Sequence, residues 1–184
     1  MKIFIVIFGA IALGGCTNHG VGSGTGGWPP TSSSPVAISS SAQIVKVTTE
    51  PVSIAMSGSA DAIVRLSIAP GFHINANPAT FTYLIATEVK LVVNANEAFP
   101  VMGKPIYPTA IRKRFAFADQ PLAVYEGDVE IKIPLTLAAL GRSEVTVARG
   151  AHLSFPIEVR VQACDQEKCF APDTLKTAIP VDVK

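Results

Sequence analysis

Residues 155–164 read Phe155-Pro156-Ile157-Glu158-Val159-Arg160-Val161-Gln162-Ala163-Cys164. Phe155, Ile157, Val159, Val161 and Ala163 alternate with Pro156, Glu158, Arg160 and Gln162. Successive strand side chains point to opposite faces, so an apolar residue at every second position predicts a strand with one buried face. The same period recurs outward along the chain. Val129, Ile131, Ile133 and Leu135 alternate with Asp128, Glu130, Lys132 and Pro134. Ala62, Val64, Leu66 and Ile68 alternate with Ile63, Arg65 and Ser67. Shorter runs with the same period are Ile44, Val45 and Val47; Phe81, Tyr83 and Ile85; Val89, Leu91 and Val93; Phe115 and Phe117; Val145 and Val147; and Ile179, Val181 and Val183. Turn residues separate them, at Pro70-Gly71, Asn75-Ala76-Asn77-Pro78, Glu126-Gly127-Asp128 and Ala148-Arg149-Gly150. The one helical candidate is a short turn over Leu135 to Leu140, stopped by Gly141. About eight or nine short strands with so little helix predict an all-β fold, an immunoglobulin-like antiparallel β-sandwich.

Composition agrees. Of 184 residues, 48% are hydrophobic and 16% charged, which suits a chain with a core and not a disordered one. Lys and Arg number 15 against 14 Asp and Glu, a formal net charge of +1. That near-balance argues against a nucleic-acid partner bound through bulk electrostatics.

The N-terminal segment reads as an address. Lys2 precedes an unbroken apolar run, Ile3 to Leu13, of 11 residues. A membrane-spanning helix needs about 20 residues, so the run suits a secretory signal. It ends in Leu13-Gly14-Gly15-Cys16, and small residues before a cysteine resemble the bacterial lipobox, in which the signal is cut before the cysteine and the cysteine is lipidated. The expectation is a signal peptide over 1–15, lipidation at Cys16 and a membrane contact through the lipid anchor. The alternative is an ordinary signal peptide with Cys16 incidental. Thr17 is not acidic, which resembles an outer-membrane destination by the enterobacterial sorting rule. Of the 25 residues from Thr17 to Ser41, 18 are Gly, Ser, Thr or Pro and none is charged as Lys, Arg, Asp or Glu. Residues 16–42 therefore read as a flexible linker with a reach of about 25–30 Å, in which Trp28 is the one bulky residue, and 43–184 as the folded domain.

Two cysteines remain, in Cys164-Asp165-Gln166-Glu167-Lys168-Cys169. In an exported protein such a pair is expected to oxidise. The bond closes a loop of six residues, so loop entropy contributes only about 2 kcal/mol. Strand parity places Cys164 outward with Glu158, Arg160 and Gln162, where a foreign thiolate reaches it. The loop is charged, which favours exposure; Lys168 lowers a neighbouring thiol's pKa while Asp165 and Glu167 oppose this. A passive clip across a hairpin stays open as the alternative. A zinc site built from both cysteines with His73 or His152 is a weaker rival, because C-x4-C without a second close pair is not a zinc signature.

Three segments together resemble the N-terminal periplasmic domain of the thiol:disulfide interchange protein DsbD over about Gln43 to Val183. They are Pro70-Gly71-Phe72-His73-Ile74-Asn75-Ala76-Asn77-Pro78; Tyr107-Pro108 with Val124-Tyr125-Glu126-Gly127 and the strand to Pro134; and Val161-Gln162-Ala163-Cys164-Asp165 through Cys169 to Pro172. The resemblance implies an immunoglobulin-like sandwich with a redox disulfide, Cys164–Cys169, in a C-terminal hairpin, and no bound cofactor. It implies a shuttle: a membrane thiol reductant passes electrons through a thioredoxin-like domain to this disulfide, and the dithiol then reduces exported disulfide-containing proteins. Cys169 is the implied attacking residue. A cap loop within Ala118 to Tyr125 is implied to shield the bond, with Leu122 or Tyr125 as the shielding side chain. His73 either lines this pocket or orients a loop, or is a hydrogen-bonded residue at the turn near Gly71. Two departures stand out: four residues separate the cysteines where the best-known members have five, and nothing in the chain corresponds to the membrane or C-terminal thioredoxin-like domains. Arg112-Lys113-Arg114 reads as the solvated end of a strand or a patch for an acidic partner. The alternative function is a non-catalytic immunoglobulin-like binding lipoprotein whose disulfide is structural.

Overall fold

A computed structural model of the chain describes residues 37–92, 101–137 and 148–184. Cys16, Trp28, the signal and most of the linker lie outside the described residues, as do Val93, Val145, Val147 and the end of the helical candidate. Among the described residues there is a single 3-10 turn, Ser41–Gln43, and twelve strands. They are β1 (Val45–Thr49), β2 (Val52–Ile54), β3 (Ser59–Ile68), β4 (His73–Asn75), β5 (Glu88–Leu91), β6 (Val101–Met102), β7 (Ile111–Lys113), β8 (Leu122–Tyr125), β9 (Asp128–Thr136), β10 (His152–Val161), β11 (Ala163–Cys164) and β12 (Asp173–Val183). No helix among them is long and apolar enough to cross a membrane.

The strands form three four-stranded sheets, ordered β1-β3-β9-β6, β2-β12-β10-β5 and β11-β4-β8-β7. Every pairing is antiparallel except β2 with β12. The first two sheets are the layers of the immunoglobulin-like sandwich. Their inward residues are the alternating ones: Ala62, Val64, Leu66 and Ile68 of β3, Val129, Ile131, Ile133 and Leu135 of β9, Phe155, Ile157, Val159 and Val161 of β10, and Ile179, Val181 and Val183 of β12 all join one buried cluster. Burying each Val, Leu, Ile or Phe of this set contributes about 1.5–3 kcal/mol, which fixes the register, because a one-residue slip would turn the whole set to water. The alternate residues meet solvent and pair across strands, as Arg65 does with Glu130 at 2.9 Å.

Turns fall where the sequence places them. Gly127 between β8 and β9, and Gly150 before β10, have φ of 65° and 84°, a region that glycine enters without a Cβ clash. Three expected elements differ. Leu135 and Thr136 complete β9 and are not helical. Phe81 to Ile85 is not a strand: the Leu84 amide donates to the Phe81 carbonyl at 3.1 Å, closing a turn. Phe115 and Phe117 likewise lie in a turn, closed by the Ala118 amide on the Phe115 carbonyl at 3.1 Å. An apolar residue at every second position over two or three positions does not distinguish a short strand from a turn whose side chains gather on one side.

The folded part also begins earlier than composition suggests. Ser41 is fully buried although it sits in the Ser-rich run.

Candidate active site around the Cys164–Cys169 disulfide

β10 ends at Val161, and after Gln162 the chain leaves its sheet. β11 pairs instead with β4, Ala163 opposite Ile74 and Cys164 opposite His73. The chain then reverses. The Asp165 amide donates to the Lys168 carbonyl at 2.9 Å and the Phe170 amide to the Ala163 carbonyl at 2.8 Å. These bonds flank Cys164 and Cys169, which face each other across the hairpin with Cα atoms 3.9 Å apart and are joined by a disulfide. A facing pair without mutual backbone hydrogen bonds is the close type in an antiparallel ladder, so it suits a bridge between neighbouring strands.

The loop is braced internally. Asp165 Oδ1 accepts from the amides of Glu167 and Lys168, both at 2.8 Å. Those two amides hold the Asp165 carboxyl below its ordinary value of 3.8. The Lys168 ammonium lies 5.4 Å from the Phe170 ring centroid. Both arms are also tied to the start of the domain. Ser41 Oγ donates to the Ala171 carbonyl at 2.7 Å and accepts from the Ala163 amide at 2.9 Å. The Ala42 amide donates to Asp173 Oδ2 at 2.7 Å. Ser41 is a site residue that the sequence reading missed; among so many serines nothing in its own identity marks it.

The two sulfurs sit in different surroundings. Cys169 is exposed, whereas Cys164 is 1% exposed. This corrects the outward, reachable Cys164 expected from strand parity. The parity itself holds: Ala163, Ile74 and Tyr125 join the main core, so Cys164 lies on the other face of the third sheet. That face, however, is covered. Phe115, Leu122 and Val124 form a second buried cluster there, with Phe81, Leu84 and Ala118 packed on it. Parity gives the face of a strand, not what covers it.

His73 belongs to this covered face as well, because directly opposed residues in a ladder share a side. It is fully buried and stacks on Phe115, with ring centroids 4.0 Å apart. Phe115 stacks in turn on Phe117, which is 42% exposed. His73 is not the hydrogen-bonded turn residue that was one expectation for it, since neither ring nitrogen has a hydrogen-bond partner among the described residues. Burial is the largest influence on the imidazole and lowers its pKa from 6.5 to about 4; Glu126 and Asp165 oppose this and Lys113 adds to it.

Of the two expected shielding residues, Leu122 lies on the Cys164 face, inside the second cluster. Tyr125 does not. It is on the main-core face, where its hydroxyl donates to the Pro108 carbonyl and accepts from the Asn77 amide, each at 3.3 Å. Phe115, just ahead of the expected cap segment, joins Leu122 in that cluster, and Phe117 stacks on Phe115. Lys113 is not a free strand end: its ammonium is 2.6 Å from Glu126. His152 stands at the opposite end of β10 from Val161 and pairs with Asp182 at 2.6 Å, so the structure brings His73 but not His152 to the cysteine pair.

A family model described as thiol:disulfide interchange protein DsbD, N-terminal, matches residues 41–180. Among solved structures, the N-terminal domain of Neisseria meningitidis DsbD in its reduced form is similar at 16% identity, with 64% of this chain and 74% of that chain covered and a TM-score of 0.40. The N-terminal periplasmic domain of ScsB from Proteus mirabilis is similar at 12% identity, with 75% of this chain and 45% of that chain covered and a TM-score of 0.45. This chain therefore spans less than half of that ScsB chain. No curated protein matches it. The matched span runs from the buried Ser41 through the disulfide hairpin and nearly to the end of β12, and with it the chain belongs to the family of DsbD N-terminal domains, the thiol–disulfide interchange domains.

Proposed function

We infer that the chain is a cell-envelope thiol–disulfide exchange module. It accepts electrons from a thioredoxin-like domain or a membrane thiol reductant and passes them to disulfides of exported proteins. The observation that carries this reading is the exposure of Cys169 while it is bonded to a buried Cys164. A partner thiolate attacks Cys169 Sγ, the disulfide breaks, and Cys164 Sγ leaves with the electron pair as a thiolate. The product is a mixed disulfide between the partner and Cys169. The partner's second thiol resolves it, leaving the partner oxidised and this chain with two reduced cysteines. Donation to a client runs the same steps in reverse: Cys169 attacks the client disulfide and Cys164 resolves the adduct. No bound cofactor enters these steps.

The reading extends to the N-terminal segment. A signal over 1–15 and lipidation at Cys16 would tether the domain at the membrane, facing the periplasm, on the linker up to residue 42. The outer membrane is the destination suggested by Thr17.

Trapping tests the exchange role. In cells, Cys164→Ala leaves Cys169 free and is expected to accumulate mixed disulfides with exported thioredoxin-like proteins, whereas Cys169→Ala is expected to accumulate few. Adducts with neither variant would favour the binding lipoprotein with a passive clip.

A further inference from the structure

We propose that His73 is the hydrogen-bond donor that receives the Cys164 thiolate when the disulfide opens. This rests on reading Cys164–Cys169 as an exchangeable bond and adds a positioning residue to it.

Placement comes first. His73 and Cys164 are directly opposed in the β4–β11 ladder. Opposed Cβ atoms lie about 4.5–5.5 Å apart, within reach of an imidazole nitrogen and a sulfur. Both residues are sealed, at 0% and 1% exposure. The ring is held by its stack on Phe115, itself only 5% exposed, so His73 does not turn out to solvent.

The second observation is the missing partner. A neutral imidazole carries one N–H and one lone pair, and buried polar groups are nearly always hydrogen-bonded. Here neither nitrogen has a partner among the described residues. An orphaned donor is unfavourable in the closed state. Breaking the disulfide places a thiolate opposite it, and an anionic sulfur is a far stronger acceptor than a disulfide sulfur. The hydrogen bond therefore exists only in the open state. It makes Cys164 a better leaving group and draws the equilibrium toward the dithiol.

Charge balance needs no proton from His73. One partner thiolate is consumed at Cys169 and one thiolate appears at Cys164. Burial lowers the imidazole pKa to about 4, so the donor is the neutral N–H at neutral pH. The ionisable groups acting on it are Asp165 after β11, Lys113 of β7 and Glu126 after β8. Lys113 and Glu126 are paired with each other, at 2.6 Å.

The test starts from Cys169→Ser, which leaves Cys164 as a free thiol whose acidity is read by thiolate absorbance against pH. Adding His73→Phe keeps a flat ring on Phe115 and removes the N–H. We expect the Cys164 pKa to rise by about one pH unit, a tenfold loss of thiolate, and His73→Gln, which keeps a donor, to restore most of it. With both cysteines present, His73→Phe is expected to shift the glutathione equilibrium about tenfold toward the disulfide, or about 30 mV. A folded His73→Phe variant with unchanged Cys164 acidity and unchanged equilibrium overturns the proposal. If the variant does not fold, the imidazole N–H is followed by NMR in the unsubstituted protein, closed and then reduced, at a pH where Cys164 is ionised. A downfield shift and slower exchange of that proton are expected in the reduced state, and an N–H signal identical in the two states overturns the proposal. Glutathione and NMR need no protein partner, so failure of exchange with thioredoxin-like proteins and failure of the His73 role are separate results.

Discussion

Cys164 and Cys169 share one covalent bond but not one environment: the first is sealed beneath the Phe115 cluster and the second faces water. A foreign thiolate approaches along the line of the S–S bond from the exposed end, so the structure makes the two sulfurs chemically unequal. After reduction, Cys169 is expected to be alkylated by iodoacetamide at least about tenfold faster than Cys164, since access as well as acidity sets thiol reactivity. Peptide mapping after a short pulse reads the ratio, and equal labelling contradicts the assignment.

Ser41 links the start of the domain to both arms of the hairpin. Ser41→Ala removes one donor and one acceptor and leaves the Ala163 amide buried without that partner. The expected cost is about 1–3 kcal/mol in denaturant unfolding. Hydrogen exchange at Ala163 should quicken with it. A variant with unchanged stability and exchange would show that the tie is not used.

His73 makes stability depend on pH in a stated direction. Its pKa is 6.5 when unfolded and about 4 when folded, so the unfolded chain binds the extra proton between these values. Stability is complete above pH 6.5 and falls as the pH drops toward 4, by about 3 kcal/mol in all. His73→Phe should flatten this window while the pH 7 stability stays equal or rises, because an unpartnered buried donor is gone. Unfolding curves across the window read it, and a slope that survives the substitution contradicts the account.

Asp165 acts in the opposite pH range. Its carboxylate is held below 3.8 by the amides of Glu167 and Lys168. The bracing is therefore complete above 3.8 and is lost as the pH falls through the lowered value. Because the group is near solvent, global stability should barely move. Amide exchange at Lys168 should quicken in Asp165→Ala and much less in Asp165→Asn, which keeps the acceptor oxygen.

The long strands were legible in the sequence because their burial is one-sided. β3, β9, β10 and β12 announce themselves through Val64, Ile131, Val159 and Val181, and the structure buries those same side chains together. The site was legible only in part. The facing of Cys164 followed from strand parity, but its cover comes from Phe81 and Phe115, far away in sequence and tied to it only through β4, β8 and the turns beside them. Phe115 and Phe117 looked like a strand and are a turn. Tyr125 looked like a cap and lies on the other side of its sheet. Ser41 was invisible because a single side chain holding two backbone groups leaves no pattern in composition.

The central claim is that a protein thiol opens this disulfide in the folded domain. The most direct measurement is reduction of the purified domain by a reduced thioredoxin-like protein under native conditions, with the adduct trapped and mapped. The account predicts rapid opening through a mixed disulfide on Cys169, with a reduction potential above about −300 mV. A bond that stays closed until the domain is unfolded, with a potential below that value, would contradict it.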